Sequence, residues 1–361
     1  MTRLRGPLPV VLLSLFGTVS GLAVLEAGAR FAAVREERRQ GRLDRDLTRL
    51  PGPRRGAVAA LGQIIERSPN PRIVYELRPR LDVVFSGARL TTSDEGYRGP
   101  DVSRPKPASV YRIVGIGDSY MFGQGVSDNE TYLARVPALL QASLSGRSIE
   151  TVNLAVPGFN TVMEVEMMRE RAAALDPDLI LIEIVGNDLD LPNFLWSSVD
   201  PWTPKRLYLL DFIRGRLGNA IAPTAGRGLL EAPREGGAGD AFSREDHVPD
   251  RYASIVGLDP FKQALRDLAQ LGRTRRIPVV AITHGVWFEE AMLRCLEESE
   301  IPVLVLRSAL RQRARALGAV DYARSPLALS PQDLHPSPLG HQAVAEELAA
   351  WLGPRLAPDR D

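Results

Sequence analysis

The stretch YRIVGIGDSYMFGQGVSDNETY, residues 111–132, holds an apolar run from Ile113 to Ile116 that stops at Gly117-Asp118-Ser119 and passes into a glycine-rich loop. A continuous apolar run is the pattern of a strand buried on both faces, as in a parallel sheet. The loop after it does not fit a phosphate cradle. A dinucleotide fingerprint needs G-x-G-x-x-G, and Tyr120 stands where the third glycine belongs; a P-loop needs a lysine, and none is present. Two readings remain open for the loop by itself: a turn whose Asp and Ser cap the next helix, or a strand end that presents a serine for chemistry.

Outward from this stretch, strand and helix patterns alternate. NETYLARVPALLQASL (129–144) has helical spacing interrupted by Pro137, IETVNLAV (149–156) reads as a strand, and TVMEVEMMRERAAAL (161–175) as a helix. PDLILIEIVGND (177–188), IPVVAIT (277–283) and IPVLVLRS (301–308) supply further strands. Alternation of this kind predicts an α/β domain with parallel pairing and right-handed crossovers. The domain is expected over 110–355, with an insertion or lid at about 190–259, where periodicity is weak and Gly and Pro are frequent. Ahead of it, IVYEL (73–77) and LDVVF (81–85) predict a strand-rich extension over 73–109, and the Arg-rich 31–72 reads as a stalk or linker.

Residues 1–30 carry Arg3 and Arg5 followed by an uncharged stretch, Gly6 to Leu25. At a rise of about 1.5 Å per residue that stretch spans a bilayer core of roughly 30 Å. The expectation is a retained signal-anchor or transmembrane segment, with the bulk of the chain facing the periplasm or cell exterior. The alternative is secretion after cleavage near Ala29, where Ala27-Gly28-Ala29 has the small-x-small form of a cleavage site. The 361 residues carry 45 basic and 44 acidic side chains, for a net charge of +1. That balance gives no electrostatic footprint for nucleic acid. Cys295 is the sole cysteine, which excludes an internal disulfide and a cysteine-based metal site.

Ligands of open parallel sheets bind at the carboxyl ends of the strands. Three such ends are unusual here: Gly117-Asp118-Ser119, the loop Pro157-Gly158-Phe159-Asn160, and Gly186-Asn187-Asp188. Near the C-terminus comes SPQDLHPSPLGHQAVAEEL, with Asp333 and His335 just ahead of a final helix. These are the parts of an acyl-transfer site. Ser119 is the candidate nucleophile, His335 its base, and Asp333 the candidate orienter of the ring. The backbone N–H groups of Ser119 and Gly158 and the Asn187 amide are candidate oxyanion donors. The G-x-S-x-G elbow of α/β-hydrolases is absent.

In this order, Gly117-Asp118-Ser119, Gly158, Asn187-Asp188 and Asp333/His335 resemble the four blocks of the SGNH (GDSL-type) hydrolases. The resemblance covers about Val110 to Leu352. It implies a flavodoxin-like fold, three-layer α/β/α, with a central parallel sheet of about five strands. It also implies Ser119 as nucleophile, His335 as base, and Gly158 and Asn187 as oxyanion donors. Two departures stand out. Val185 replaces the glycine of the usual G-x-N-D, and Asp333-Leu334-His335 replaces the usual D-x-x-H. The second alters the reach of Asp333, and a backbone carbonyl is the alternative orienter.

No metal or cofactor is implied. His335 and His341 have no carboxylate or cysteine spaced to complete a metal site. His284 reads as a structural histidine near the fourth strand's end, His247 as solvated, and Asp118 and Asp188 as loop braces. Phe194, Trp196 and Trp202 read equally as a substrate wall or as packing of the insertion. The expected function is a membrane-tethered serine esterase acting on a small-molecule or glycan acyl ester through an acyl-Ser119 intermediate. The alternatives are an O-acyltransferase or deacetylase acting on a cell-envelope glycan, and a non-catalytic binding module.

Overall fold

The computed structural model describes residues 8–47, 51–143, 146–190, 207–210, 213, 252–284 and 290–356. The apolar N-terminus forms one long helix, α1 (Leu8–Leu47), whose segment Val10–Ala32 is long and apolar enough to cross a membrane. None of that segment is buried against the rest of the chain.

Short strands follow. β1 (Val58–Ala59), a one-turn helix α2 (Leu61–Ile64) and β2 (Ile65–Arg67) precede β3 (Tyr75–Leu77), β4 (Asp82–Phe85) and β5 (Ala88–Thr91). β1 pairs parallel with β4, while β4–β5 and β2–β3 are antiparallel. Paired backbone therefore begins at Val58, inside the stretch read from sequence as a linker. The alternation of β4, whose Val83 and Phe85 are buried while Asp82 and Val84 are only partly so, is that of a sheet with one face on the core.

The main sheet is all parallel. Its strands are β6 (Val110–Ile116), β7 (Ser148–Asn153), β8 (Leu179–Glu183), β9 (Val279–Thr283) and β10 (Val303–Val305), in the order β10-β9-β8-β6-β7. Between β6 and β7 lie α3 (Ser119–Phe122) and α4 (Tyr132–Leu140), and α5 (Thr161–Leu175) links β7 to β8. Helix α6 (Leu258–Arg275) precedes β9, α7 (Glu290–Glu298) links β9 to β10, and α8 (Arg307–Ala316) follows β10. The hairpin β11 (Ala328–Ser330) and β12 (Asp333–Pro336) leads into α9 (Pro338–Leu356). Helix α4 packs on α9, and α5 packs on α6, which in turn packs on α7. With right-handed crossovers these two sets cover opposite faces of the sheet, giving three layers. All five residues of β8 are buried, since helices lie above and below it.

β6 is central: Val114 pairs with Val152 on one side and with Ile180 on the other. The chain goes from β6 outward to β7, then back past β6 to β8. The connections leaving β6 and β8 diverge there, and this switch point leaves a crevice at the strands' carboxyl ends.

Candidate active site

β6 ends where its glycines must be small. A Cβ on Gly117 would lie 2.9 Å from the Cβ atoms of both Glu183 and Met121. The strand and the turn after it are thus packed against β8 and α3, and no phosphate-binding role is needed to explain the GIG sequence. Asp118 caps α3, accepting the Tyr120 N–H at 2.9 Å. Ser119 therefore begins a single helical turn and is 93% buried, its relative exposure being 7%. Gly123 closes that turn at φ 84°, and its N–H donates to the Ser119 carbonyl at 3.1 Å. Gly123 and Gly125, the glycines of the loop after Ser119, do not leave open space around the serine. They instead serve the backbone: both take positive φ, and a Cβ would strike Thr131 at the first and Leu329 at the second.

The other arm arrives on the β11–β12 hairpin. Ser330 Oγ accepts the Asp333 N–H at 3.0 Å and pins the turn. In a strand, residues i and i+2 share a face, so Asp333 and His335 project together from β12. Asp333 Oδ1 lies 2.5 Å from His335 Nδ1, and His335 Nε2 lies 2.8 Å from Ser119 Oγ. The single residue between acid and histidine is the spacing an extended strand requires. Because a carboxylate only accepts, the ring proton belongs on Nδ1, leaving Nε2 to accept from the serine hydroxyl. The hydrogen bond from His335 holds the Asp333 carboxyl below its usual range, against partial burial that pushes the other way. The Tyr120 ring packs against the His335 ring at 4.9 Å between centroids.

Asn187 lies in a 3-10 turn, Gly186–Leu189, at the end of β8. Its amide donates to Asp118 Oδ2 at 3.2 Å, and Ser119 Oγ, whose proton goes to His335, lies 3.3 Å from the same oxygen. Asp118 thereby holds the Asn187 amide beside the serine oxygen. Asp188 braces the turn from behind, accepting from the Thr161 hydroxyl at 2.8 Å and the Val185 N–H at 3.2 Å. Gly158 has φ 78°. Among the described residues, neither its N–H nor that of Ser119 has an acceptor, so both are available to an incoming oxyanion.

Beneath the site lies a set of buried groups that sequence reasoning missed. Glu183, fully buried at the end of β8, accepts from the Met121 N–H, from the Tyr132 hydroxyl at 3.0 Å and meets His284 Nε2 at 2.7 Å. Burial raises its pKa, while His284 opposes the shift. The only hint was a charged residue closing the apolar run LILIE. Glu164 on α5 is also buried, and neither of its carboxyl oxygens has a partner among the described residues. Burial first, then the nearby Asp188, pushes its pKa well up, and Asp188 is raised by the same causes with Asp118 the leading charge. His284 is buried on Glu183. His341 accepts the Tyr132 N–H at 3.1 Å, and burial drives its pKa well down. No group of three His, Cys, Asp or Glu among the described residues has the makings of a metal site. His247, Phe194, Trp196, Trp202 and most of 190–259 lie outside the described residues.

Residues 116–343 match the model of the GDSL-like Lipase/Acylhydrolase family. The chain belongs to this family. As a GDSL-type hydrolase it is an ester-bond hydrolase, and the match begins at the end of β6 and ends inside α9, so all four blocks fall within it. Similar solved structures include the psychrotrophic esterase EstA from Pseudoalteromonas sp., at 10% identity and TM-score 0.39, with 68% of this chain and 98% of that chain covered. They also include LAE5, an alpha/beta hydrolase from the metagenome of Lake Arreo, at 16% identity and TM-score 0.40, covering 69% and 97%. A third is the acetylxylan esterase Axe2 from Geobacillus stearothermophilus, at 18% identity and TM-score 0.38, covering 69% and 97%. No curated protein matches this GDSL-type hydrolase.

Proposed function

We propose that this GDSL-type hydrolase is a membrane-tethered, extracytoplasmic serine esterase that cleaves an acyl ester through a covalent acyl-Ser119 intermediate. The observation that carries the reading is the continuous relay from Asp333 through His335 to Ser119, at 2.5 and 2.8 Å. Ser119 Oγ attacks the ester carbonyl carbon as His335 Nε2 takes its proton. The carbonyl oxygen becomes an oxyanion, held by the N–H groups of Ser119 and Gly158 and the Asn187 amide. Collapse breaks the bond to the alcohol, and His335 returns the proton to that leaving oxygen. Water, deprotonated by His335, then attacks the acyl-serine, releasing the acid and regenerating Ser119. Asp333 accepts from Nδ1 throughout, stabilising the imidazolium that forms twice per turnover. The apolar segment Val10–Ala32 supports the tether, and Arg3 and Arg5 ahead of it give the basic-then-apolar form of an export signal.

The deciding experiment uses the full chain in detergent, with a fluorophosphonate probe and short-chain aryl esters. Labelling and acid release that vanish in Ser119→Ala are the expected result. A folded chain that takes no label ends the esterase reading. Resistance of the full-length protein to alkaline carbonate extraction, together with protease access to residues beyond 110 from outside intact cells, tests the tether and its side.

A further inference from the structure

The strand-rich extension ahead of β6 reaches into both loops of the site. Arg98 is the stronger contact. Its side chain is 3% exposed, and its guanidinium donates to the backbone carbonyls of Phe122, Gly123 (2.7 Å) and Val126 (2.6 Å) and to Asp128 Oδ1 (2.9 Å), while lying over the Phe122 ring at 4.6 Å. These carbonyls close α3, the turn that begins at Ser119. A single turn is too short to be stable alone, and the carbonyls at its end have no partner within it. The tie to the nucleophile is direct, because the N–H groups of Gly123 and Gln124 both donate to the Ser119 carbonyl, at 3.1 and 3.0 Å. The Arg98 backbone N–H donates to Asn153 O at 3.0 Å, and the Asn153 amide donates to Met121 O at 2.9 Å, so the whole turn hangs from this junction.

Tyr75, on β3, holds the second loop. Its hydroxyl donates to Pro157 O at 3.0 Å, and its ring stacks edge-on against Phe159 at 5.3 Å. Pro157 and Phe159 flank Gly158. Arg98 and Tyr75 both lie before residue 116, where the family match begins.

We infer that Arg98 and Tyr75 are positioning residues of the hydrolase, so that the extension is a working part of the site: Arg98 sets the nucleophile turn and Tyr75 sets the Gly158 loop. This rests on the reading of Ser119 as the nucleophile. Lysine cannot replace Arg98, because an ammonium lacks the planar fork that reaches three carbonyls and a carboxylate at once. A shift of the reacting atoms by about 1 Å costs on the order of 100-fold in rate.

The test measures kcat and KM on an aryl ester, and the fluorophosphonate labelling rate, for full-length Arg98→Lys, Arg98→Ala and Tyr75→Phe, each checked for folding by thermal melt. Folded Arg98→Lys should lose about 10- to 100-fold in kcat and equally in labelling rate, with KM changed less than about threefold. Guanidinium ion, and not ammonium, should restore part of the activity of Arg98→Ala. Tyr75→Phe should lose about 10-fold in kcat with KM retained. A merely structural role would lower the melting temperature and leave kcat of the folded fraction unchanged. Wild-type kcat and labelling in either folded variant overturns the role of that residue. If the Arg98 variants do not fold, Tyr75→Phe decides alone. Failure of the wild-type chain to label sinks the nucleophile reading itself, a result distinct from all of these.

Discussion

Asp333 Oδ1 accepts twice from His335, from the ring at Nδ1 (2.5 Å) and from the backbone N–H (3.1 Å). One carboxylate oxygen thus fixes both the rotation of the ring and the place of its proton. An amide at 333 can turn its NH₂ toward the ring and favour the wrong tautomer. Asp333→Asn is therefore expected to lower kcat by about 100- to 10,000-fold, below the effect of His335→Ala or Ser119→Ala. Esterase assays of the three variants check the order. A loss in Asp333→Asn smaller than about threefold would assign the ring's orientation to another group.

Asn187 donates its amide to Asp118 Oδ2, an oxygen 3.3 Å from Ser119 Oγ, and so stands beside the nucleophile. Asn187→Ala removes one neutral donor from the developing oxyanion. The expected loss in kcat is about 100- to 1,000-fold with KM nearly constant, as steady-state kinetics on an aryl ester would show. A change confined to KM would make Asn187 a ground-state contact.

Glu164 and Asp188 are buried carboxyls with raised pKa values. A group whose folded pKa is raised contributes its full stability below its unfolded value, about 4, and loses it as pH rises through the folded one. The wild-type melting temperature should therefore fall as pH climbs from about 4 through the folded values. Glu164→Gln, which mimics the protonated acid, should flatten that fall. Parallel melting curves for the two proteins from pH 5 to pH 10 would remove Glu164 from this account.

Glu183 gathers the Met121 N–H, the Tyr132 hydroxyl and His284 in the core. Glu183→Ala leaves these groups without their partner and opens a cavity behind α3. Destabilisation of about 3 kcal/mol is expected from equilibrium denaturation. A loss below about 1 kcal/mol would mean that water satisfies the three groups.

How much of this was legible beforehand differs from element to element. The apolar runs at 113–116 and 179–182 announced a two-sided parallel sheet, and the helix at 161–175 matched its sequence pattern end to end, because periodicity reports burial directly. The blocks around Ser119, Gly158, Asn187 and His335 were visible because strand ends in such a sheet converge, so short polar interruptions of apolar runs mark one edge. The reach of Asp333 was not. Whether one intervening residue suits an acid–histidine pair depends on whether the segment is a turn or a strand, and β12 exists only because β11 pairs with it.

The α/β class, the apolar N-terminal helix and the candidates for nucleophile, histidine and oxyanion donors were legible in the sequence, since each is marked by local pattern along the chain. Only the tertiary structure decided that Asp333 reaches the ring, that Glu183 and Glu164 lie buried beneath the site, and that Arg98 and Tyr75 grip its loops. The buried cluster and the grips on the loops join residues far apart in the chain, 82 positions between Tyr75 and Pro157 and 101 between Glu183 and His284. No local periodicity encodes them, because a hydrogen bond across that distance exists only once the sheet has brought both partners to the same edge.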